Sequence, residues 1–393
     1  MYFNSFQFLL LFLPVTLLGF YLINRVEPCR WPIVWLVGAS LVFYGFCNLV
    51  LVGVLIGSVL TNYVLGRFFY DSQISKVNLK KILYFGIICN LGVLIYFKQF
   101  GFYGGSQPHE FSPAYPWGVI IPVGLSFFTF QQIIYLVEVW RGRVEGNSFW
   151  NYFLYVVFFP QLLNGPIVRP NEFFPQLVDK KFFKFQADRI AAGLTIFSCG
   201  LFKKVVLADG IARYSDSAFD AVAQGAVLSM MEAWSGTLSF TLQVYFDFSG
   251  YSDMAVGLGC LLGIRLPINF ESPYKASSLI EFWHRWHMTL SRFVRDYIYI
   301  PLGGNRKGSL KRTGNIFIIM LIGGIWHGTG TTFIVWGSLH GGLLAINHLW
   351  RQLQNSLGYS LERKNFIYEI SGCVITFTTV AVLWVLFRAE SLD

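Results

Sequence analysis

Apolar runs long enough to cross a bilayer recur along the whole chain, separated by short polar loops. A hydrocarbon core takes about 20 predominantly apolar residues per helical span. The runs are Phe6–Ile23, Ile33–Cys47, Leu49–Gly66, Ile82–Phe97, Trp117–Val139, Tyr152–Leu163, Ile190–Leu207, Ala233–Phe248, Tyr251–Leu266, Asn315–Trp326, Phe333–His348 and Ile370–Phe387. They predict an all-α, multi-pass membrane protein. Tyr152–Leu163 and Tyr251–Leu266 are short or interrupted by Gly and Pro, which fits re-entrant or buried half-helices lining a cavity. With no internal repeat, heptad run or low-complexity linker, residues 1–393 read as a single membrane domain.

The composition excludes an ordinary water-soluble core. Of the 393 residues 54% are hydrophobic and 13% charged, against about 25% charged in soluble domains. Aromatic residues reach 18%, as interfacial belts and close helix packing in lipid require. The net charge of +9 does not point to a nucleic-acid partner, because none of the sequence patterns of such modules is present. Its Lys and Arg fall instead in loops after alternate spans: Arg25 and Arg30, then Arg67, Lys76, Lys80 and Lys81, then Arg141 and Arg143. The segments around Asn48 and from Gly101 to Pro116 carry neither residue. The positive-inside rule then places the basic loops in the cytoplasm and the N-terminus outside, with Lys180 to Arg189 and Arg306 to Arg312 cytoplasmic as well. The first run has no basic region before it and no small-residue cleavage site after it, so it reads as a retained span. Six cysteines (Cys29, Cys47, Cys89, Cys199, Cys260 and Cys373) are scattered singly, and predict neither disulfides nor a metal site.

Against this apolar background four polar constellations stand out. Glu281-Phe-Trp-His-Arg-Trp-His-Met-Thr-Leu-Ser-Arg-Phe-Val-Arg-Asp296 reads as one amphipathic helix, with Trp283, Trp286 and Leu290 on one face and His284, His287 and Ser291 on another. Its bland reading is an interfacial anchor whose histidines snorkel. Gly323-Gly-Ile-Trp-His-Gly328 closes an apolar run on His327, and its glycines permit close backbone approach. An ionisable group at membrane depth is costly and usually functional, although a core histidine satisfied by a carbonyl is the simpler alternative. For His340 and His348 the structural reading is the stronger. In Gln243-Val-Tyr-Phe-Asp-Phe-Ser-Gly-Tyr-Ser-Asp-Met254, Asp247 and Asp253 need partners, with Arg265 or Arg285 as candidates, and scaffolding is favoured over chemistry. Pro160-Gln-Leu-Leu-Asn-Gly-Pro-Ile-Val-Arg-Pro170 reads as a kinked re-entrant loop fixed by Arg169 at the interface.

In this order the constellations resemble the membrane-bound O-acyltransferase family, in its bacterial alginate O-acetylase-like branch. The most specific parts are Tyr245-Phe-Asp-Phe-Ser-Gly-Tyr-Ser-Asp253, Arg285-Trp-His-Met-Thr-Leu-Ser-Arg292, Tyr299-Ile-Pro-Leu-Gly-Gly-Asn-Arg306 and Trp326-His-Gly328. The resemblance implies a helical bundle with a central tunnel and re-entrant segments. It implies transfer of an acetyl group from a cytoplasmic thioester, acetyl-CoA, for O-acetylation of an exported polysaccharide such as alginate. His327 matches the family's essential histidine and His287 its second polar position. Two departures are that His284 stands where this branch has Arg, and that the chain ends at Asp393 where alginate-type members continue with further spans. The implied setting is the bacterial cytoplasmic (inner) membrane, with extracytoplasmic acetyltransferase proteins, the polysaccharide and membrane lipids as partners.

The residues suit that chemistry on their own account. Transfer to a sugar hydroxyl needs a base for the alcohol proton, and an imidazole serves, so His327 and His287 are the expected catalytic pair, with His287 orienting the donor or bonding the developing oxyanion. No G-x-S-x-G elbow is present, and no P-loop or Rossmann fingerprint. A CoA-type donor is therefore expected to be held by scattered basic residues and a groove, as a substrate with no bound cofactor implied, and the expected substrate-binding residues are Trp326, Trp286, Arg285, Asp247, Arg306 and Lys307. D-alanyl transfer or peptidoglycan O-acetylation within the same family is the second reading. A lipid-linked sugar flippase or transporter, which inverted repeats would support, is the third.

Overall fold

The computed structural model describes residues 1–27, 30–46, 49–103, 123–145, 148–178, 184–306, 308–328, 330–358 and 366–392. Cys29, Cys47, His109, Lys180, Lys307 and the first residues of the Trp117–Val139 run lie outside the described residues. Among those described the regular structure is all helical. Five helices are long and apolar enough to cross a membrane: α1 (Phe8–Val26), α3 (Leu49–Phe68), the Lys76–Lys98 part of α4 (Lys76–Tyr103), α9 (Ala187–Ala223) and α15 (Phe366–Arg388). Each matches an apolar run in the sequence. α2 (Trp31–Gly45) and α5 (Leu125–Trp140) are apolar but shorter.

Helix contacts gather into two compact units, Met1–Leu201 with Tyr251–Pro267, and Phe202–Gly250 with Ile268–Asp393. The first is built around α5, which is buried on every side from Leu125 to Val139. Its mostly apolar surface suits a helix inside a helical protein, and the buried Gln132 and Glu138 are paired there with Ser58 and with Arg141. α5 starts where Gly124 takes φ +74°, a left-handed turn that lets its backbone press against Leu162. Two short helices, α6 (Phe149–Val157) and α7 (Phe159–Leu162), break at Phe158 and lead to α8 (Pro170–Val178). The irregular backbone between α7 and α8 is buried at Ile167 and Val168, and the Tyr155 hydroxyl donates to the Val168 carbonyl at 2.9 Å. Non-helical backbone inside a membrane protein is tolerated where it is covered this way.

Two readings of the sequence are corrected here. The runs Ala233–Phe248 and Tyr251–Leu266 are not separate segments, because α10 (Met230–Leu261) runs through both. Ser249 and Gly250 look like a breaker, but both are buried within the helix, where neighbouring protein replaces the solvent a break would need. The stretch Glu281–Asp296 is not one amphipathic helix. It forms α11 (Leu279–Arg285) and α12 (Met288–Val294), separated at Trp286 and His287.

The second unit carries both histidine signatures. α13 (Ser309–His327) and α14 (Thr331–Ser356) form a hairpin held at a glycine crossing. A Cβ on Gly337 would lie 2.5 Å from the Met320 carbonyl oxygen, and one on Gly324 would strike the Phe333 carbonyl. Small residues at such crossings let backbones meet directly. The consequence is positional: His327, the last residue of α13, is brought beside Trp336 on α14.

Candidate active site

α14 also fixes the start of α11. Asn347 Oδ1 accepts from the Ile280 amide at 3.3 Å, and Arg351 Nη2 donates to the Ser278 hydroxyl at 2.9 Å. Ser278 caps the helix by accepting from the Glu281 amide, while the Glu281 carboxylate accepts from the Ser277 amide and hydroxyl. These contacts satisfy amides that a helix N-terminus leaves open.

The break that follows α11 puts His287 at φ +45° and ψ +53°. A left-handed conformation at a non-glycine residue is unusual and is kept only where its surroundings enforce it. Asn269 does the enforcing. Its carbonyl accepts from the Met288 amide at 2.9 Å, and its side-chain Oδ1 meets the Thr289 amide at 3.3 Å and the Thr289 hydroxyl at 3.0 Å. The same Oδ1 lies 3.0 Å from His287 Nδ1. The break also turns the two neighbouring histidines apart: His287 is buried and His284 exposed, so they do not share a face.

His287 packs edge-on against Phe248 of α10, with centroids 4.7 Å apart, and lies parallel to Phe270 at 6.4 Å. His327 packs against Trp326 at 4.5 Å, Phe387 of α15 at 5.0 Å and Trp336 at 5.5 Å. Trp286 sits among Tyr245, Phe270, Tyr274, Phe282 and Trp384. It is buried and walls the site rather than presenting a free face.

Tyr274 ties this wall together. Its hydroxyl donates to the Thr241 carbonyl at 2.7 Å and accepts from Trp384 Nε1 at 3.1 Å. Tyr274→Phe leaves Trp384 Nε1 without its acceptor while keeping the ring, and is expected to cost about 1–3 kcal/mol. A lower melting temperature of the purified protein in detergent is the check, and an unchanged one would show that the network is replaceable.

The other polar candidates are placed differently. Asp247 pairs with Lys204 at 2.6 Å, not with Arg265 or Arg285, and its side chain is 49% exposed. Lys204 also holds Asp209 at 2.8 Å. Adjacent residues of α10 thus divide the work: Phe248 packs on His287 while Asp247 anchors α9. Arg285 is engaged by Glu281 at 2.7 Å. Arg306 is exposed on the loop before α13. His340 is fully buried between Trp283 at 5.1 Å and Trp336 at 4.8 Å, and neither ring nitrogen has a hydrogen-bond partner among the described residues. Asn269, Thr289, Trp336 and Phe387 were not singled out in the sequence. Asn269 carries no periodic or motif signal there, and Trp336 and Phe387 look like ordinary span residues.

Residues 37–384 match the family model described as MBOAT, the membrane-bound O-acyltransferase family, and the chain belongs to that family. It is an O-acyltransferase of the membrane. It is 39% identical to the peptidoglycan O-acetyltransferase of Helicobacter pylori, over 100% of this chain and 77% of that one. A probable alginate O-acetylase, AlgI, of Pseudomonas aeruginosa is 37% identical over 100% of this chain and 73% of its own length. The teichoic acid D-alanyltransferase of Bacillus subtilis is 26% identical over 82% of this chain and 81% of its own.

Proposed function

We propose that this chain takes an acetyl group from acetyl-CoA on the cytoplasmic side of the bacterial inner membrane and passes it outward for O-acetylation of an extracytoplasmic polysaccharide. What supports the reading is membership of the membrane-bound O-acyltransferase family together with two imidazoles set among aromatic rings, His287 beside Phe248 and Phe270 and His327 beside Trp326, Trp336 and Phe387. In the reaction the acceptor hydroxyl attacks the thioester carbonyl as His327 takes its proton. The C–O bond forms, the C–S bond breaks, and the proton returns to the departing thiolate. Arg306, on the loop before α13, and Lys307, the next residue in the sequence, supply cations for the donor's phosphates, and Trp326 flanks the base. Extracytoplasmic acetyltransferase proteins complete delivery to the polymer.

An alginate-type polymer is the first acceptor, on the likeness to the alginate O-acetylases. The likeness to a peptidoglycan O-acetyltransferase specifically favours a second, peptidoglycan. The test is ester-linked acetate in secreted polysaccharide and in purified peptidoglycan, compared between a deletion strain and the same strain complemented with this chain. Acetate restored in one polymer identifies the acceptor. Acetate unchanged in both, with the protein present in the membrane, would overturn the proposal.

A further inference from the structure

We infer that Lys204, Asp209 and Asp247 form a hydroxyl-binding site that opens on water within the membrane and receives the glycan acceptor. The inference rests on the reading of that acceptor as a hydroxyl-bearing polysaccharide, and it gives the polymer a place apart from the two imidazoles.

Lys204 Nζ meets Asp209 Oδ1 at 2.8 Å and Asp247 Oδ1 at 2.6 Å. In a regular α-helix, residues five apart point roughly 140° away from one another. The π-helical turn Lys203–Ala208 widens α9 just there and brings Lys204 and Asp209 to one side, and such turns occur frequently at functional sites. Depth follows from helix length. At about 1.5 Å per residue, Lys204 stands about 26 Å from the start of α9 and about 28 Å from its end. Wherever a hydrocarbon core of about 30 Å crosses a helix of that length, Lys204 falls inside it. Yet the Asp247 and Asp209 side chains are 49% and 46% exposed. Charged groups at such depth face protein or water rather than lipid, so this side of α9 and α10 lines an aqueous recess.

Only one oxygen of each carboxylate is engaged. The other meets no protein donor among the described residues. One turn from Asp247 along α10, the Gln243 side-chain oxygen is buried and has no donor there either. Three acceptors are thus left open beside an ammonium with one hydrogen to spare. The hydroxyls of a sugar donate to such oxygens and accept from the ammonium. A phosphate brings no hydrogen and is repelled by carboxylates, so the site suits the acceptor and not a CoA-type donor. Phe248, the next residue of α10, packs on His287, so consecutive residues carry the triad and the contact to that imidazole.

Access is tested on the wild-type protein in lipid nanodiscs, with a water-soluble carbodiimide and glycinamide followed by peptide mapping. Asp209 or Asp247 is expected to carry glycinamide or an amide link to Lys204, either of which requires the reagent to arrive through water. Failure to modify either aspartate would overturn the inference without any variant. Binding is then measured with soluble alginate oligosaccharides and soluble peptidoglycan fragments, comparing wild type with Asp247→Asn. The asparagine oxygen stays on the Lys204 ammonium, because the reverse sets donor against donor, and the open oxygen becomes an NH2 donor. For whichever glycan binds the wild type, Kd is expected to rise about 10-fold, near the low end of what a hydrogen bond to a charged group contributes, while the melting temperature holds. An ion pair that only braces α9 against α10 would give a lower melting temperature and an unchanged Kd, and that result would overturn the inference. Binding of neither glycan by the wild type would overturn it too. Acetyl transfer from radiolabelled acetyl-CoA is followed on the same samples. Glycan binding without transfer would count against the acyl-transfer reading and leave this site standing.

Discussion

Replacing His327 by alanine is expected to reduce acyl transfer by about 10²- to 10⁴-fold, the usual worth of a positioned base, or roughly 3–5 kcal/mol of barrier at 1.36 kcal/mol per tenfold. The ring ends α13 at the hairpin turn and touches Trp326, Trp336 and Phe387. Its removal takes away one face of packing but no hydrogen bond that α13 needs for its own ladder. Membrane abundance should therefore stay close to wild type while polymer acetylation disappears. His327→Gln separates the two contributions, since it refills much of the volume and hydrogen-bonds but cannot take up a proton. It is expected to be as inactive as the alanine variant. Acetylation above about a tenth of wild type in either, with protein confirmed by immunoblot, would exceed what the smallest base contribution permits and would remove His327 from the role of base.

Gly337→Ala is expected to be nearly as damaging, from a residue with no chemistry. Its Cβ would meet the Met320 carbonyl at 2.5 Å and the Gly324 Cα at 3.2 Å. Both are backbone atoms, so the helices themselves must separate, at an overpacking cost of about 1–3 kcal/mol. Because His327 closes α13, that separation moves its imidazole relative to Trp336, and misplacement of a reacting group by about 1 Å can cost on the order of 100-fold in rate. The comparison is Gly342→Ala on the same helix, where a Cβ meets nothing within 4 Å. Gly342→Ala should leave both activity and melting temperature unchanged, or raise the latter slightly through the better helix propensity of alanine. Equal behaviour of the two variants would mean that the crossing does not position the site.

Phe387 is held in place by its neighbour. Arg388 reaches Asp216 at 3.5 Å and Asp220 at 3.8 Å, and lies over the Phe219 ring. The end of α15 is thus pinned to α9 beside the ring that packs on His327. The aromatic contacts and the ion pairs thus meet at the end of α15.

What could be read in the chain and what could not divide along the range of the forces involved. Spans were legible because burial in lipid is a composition effect, so the runs at Phe6–Ile23, Leu49–Gly66, Ile82–Phe97, Ile190–Leu207 and Ile370–Phe387 all reappear as long apolar helices. The Gly-flanked His327 signature was legible for a related reason. Glycines beside an apolar run have few uses other than close approach, and Gly324 has that use. The Glu281–Asp296 stretch misled, because its spacing is helical and nothing in it disfavours a helix. The break comes from Asn269, 18 positions from His287, which captures the Met288 and Thr289 amides before a continuous helix can. Asp247 misled in the same way: a carboxylate advertises its need for a cation, but Lys204 is chosen by how α9 and α10 pack.

The sequence by itself determined the membrane setting, the helical class and the two imidazoles, since each follows from residue type and short-range pattern. Tertiary structure alone decided that His287 stands at a left-handed break and which aromatic rings pack around His287, Trp286 and His327. Those depend on hydrogen bonds and ring contacts between residues remote in the chain, whose directions no local pattern encodes.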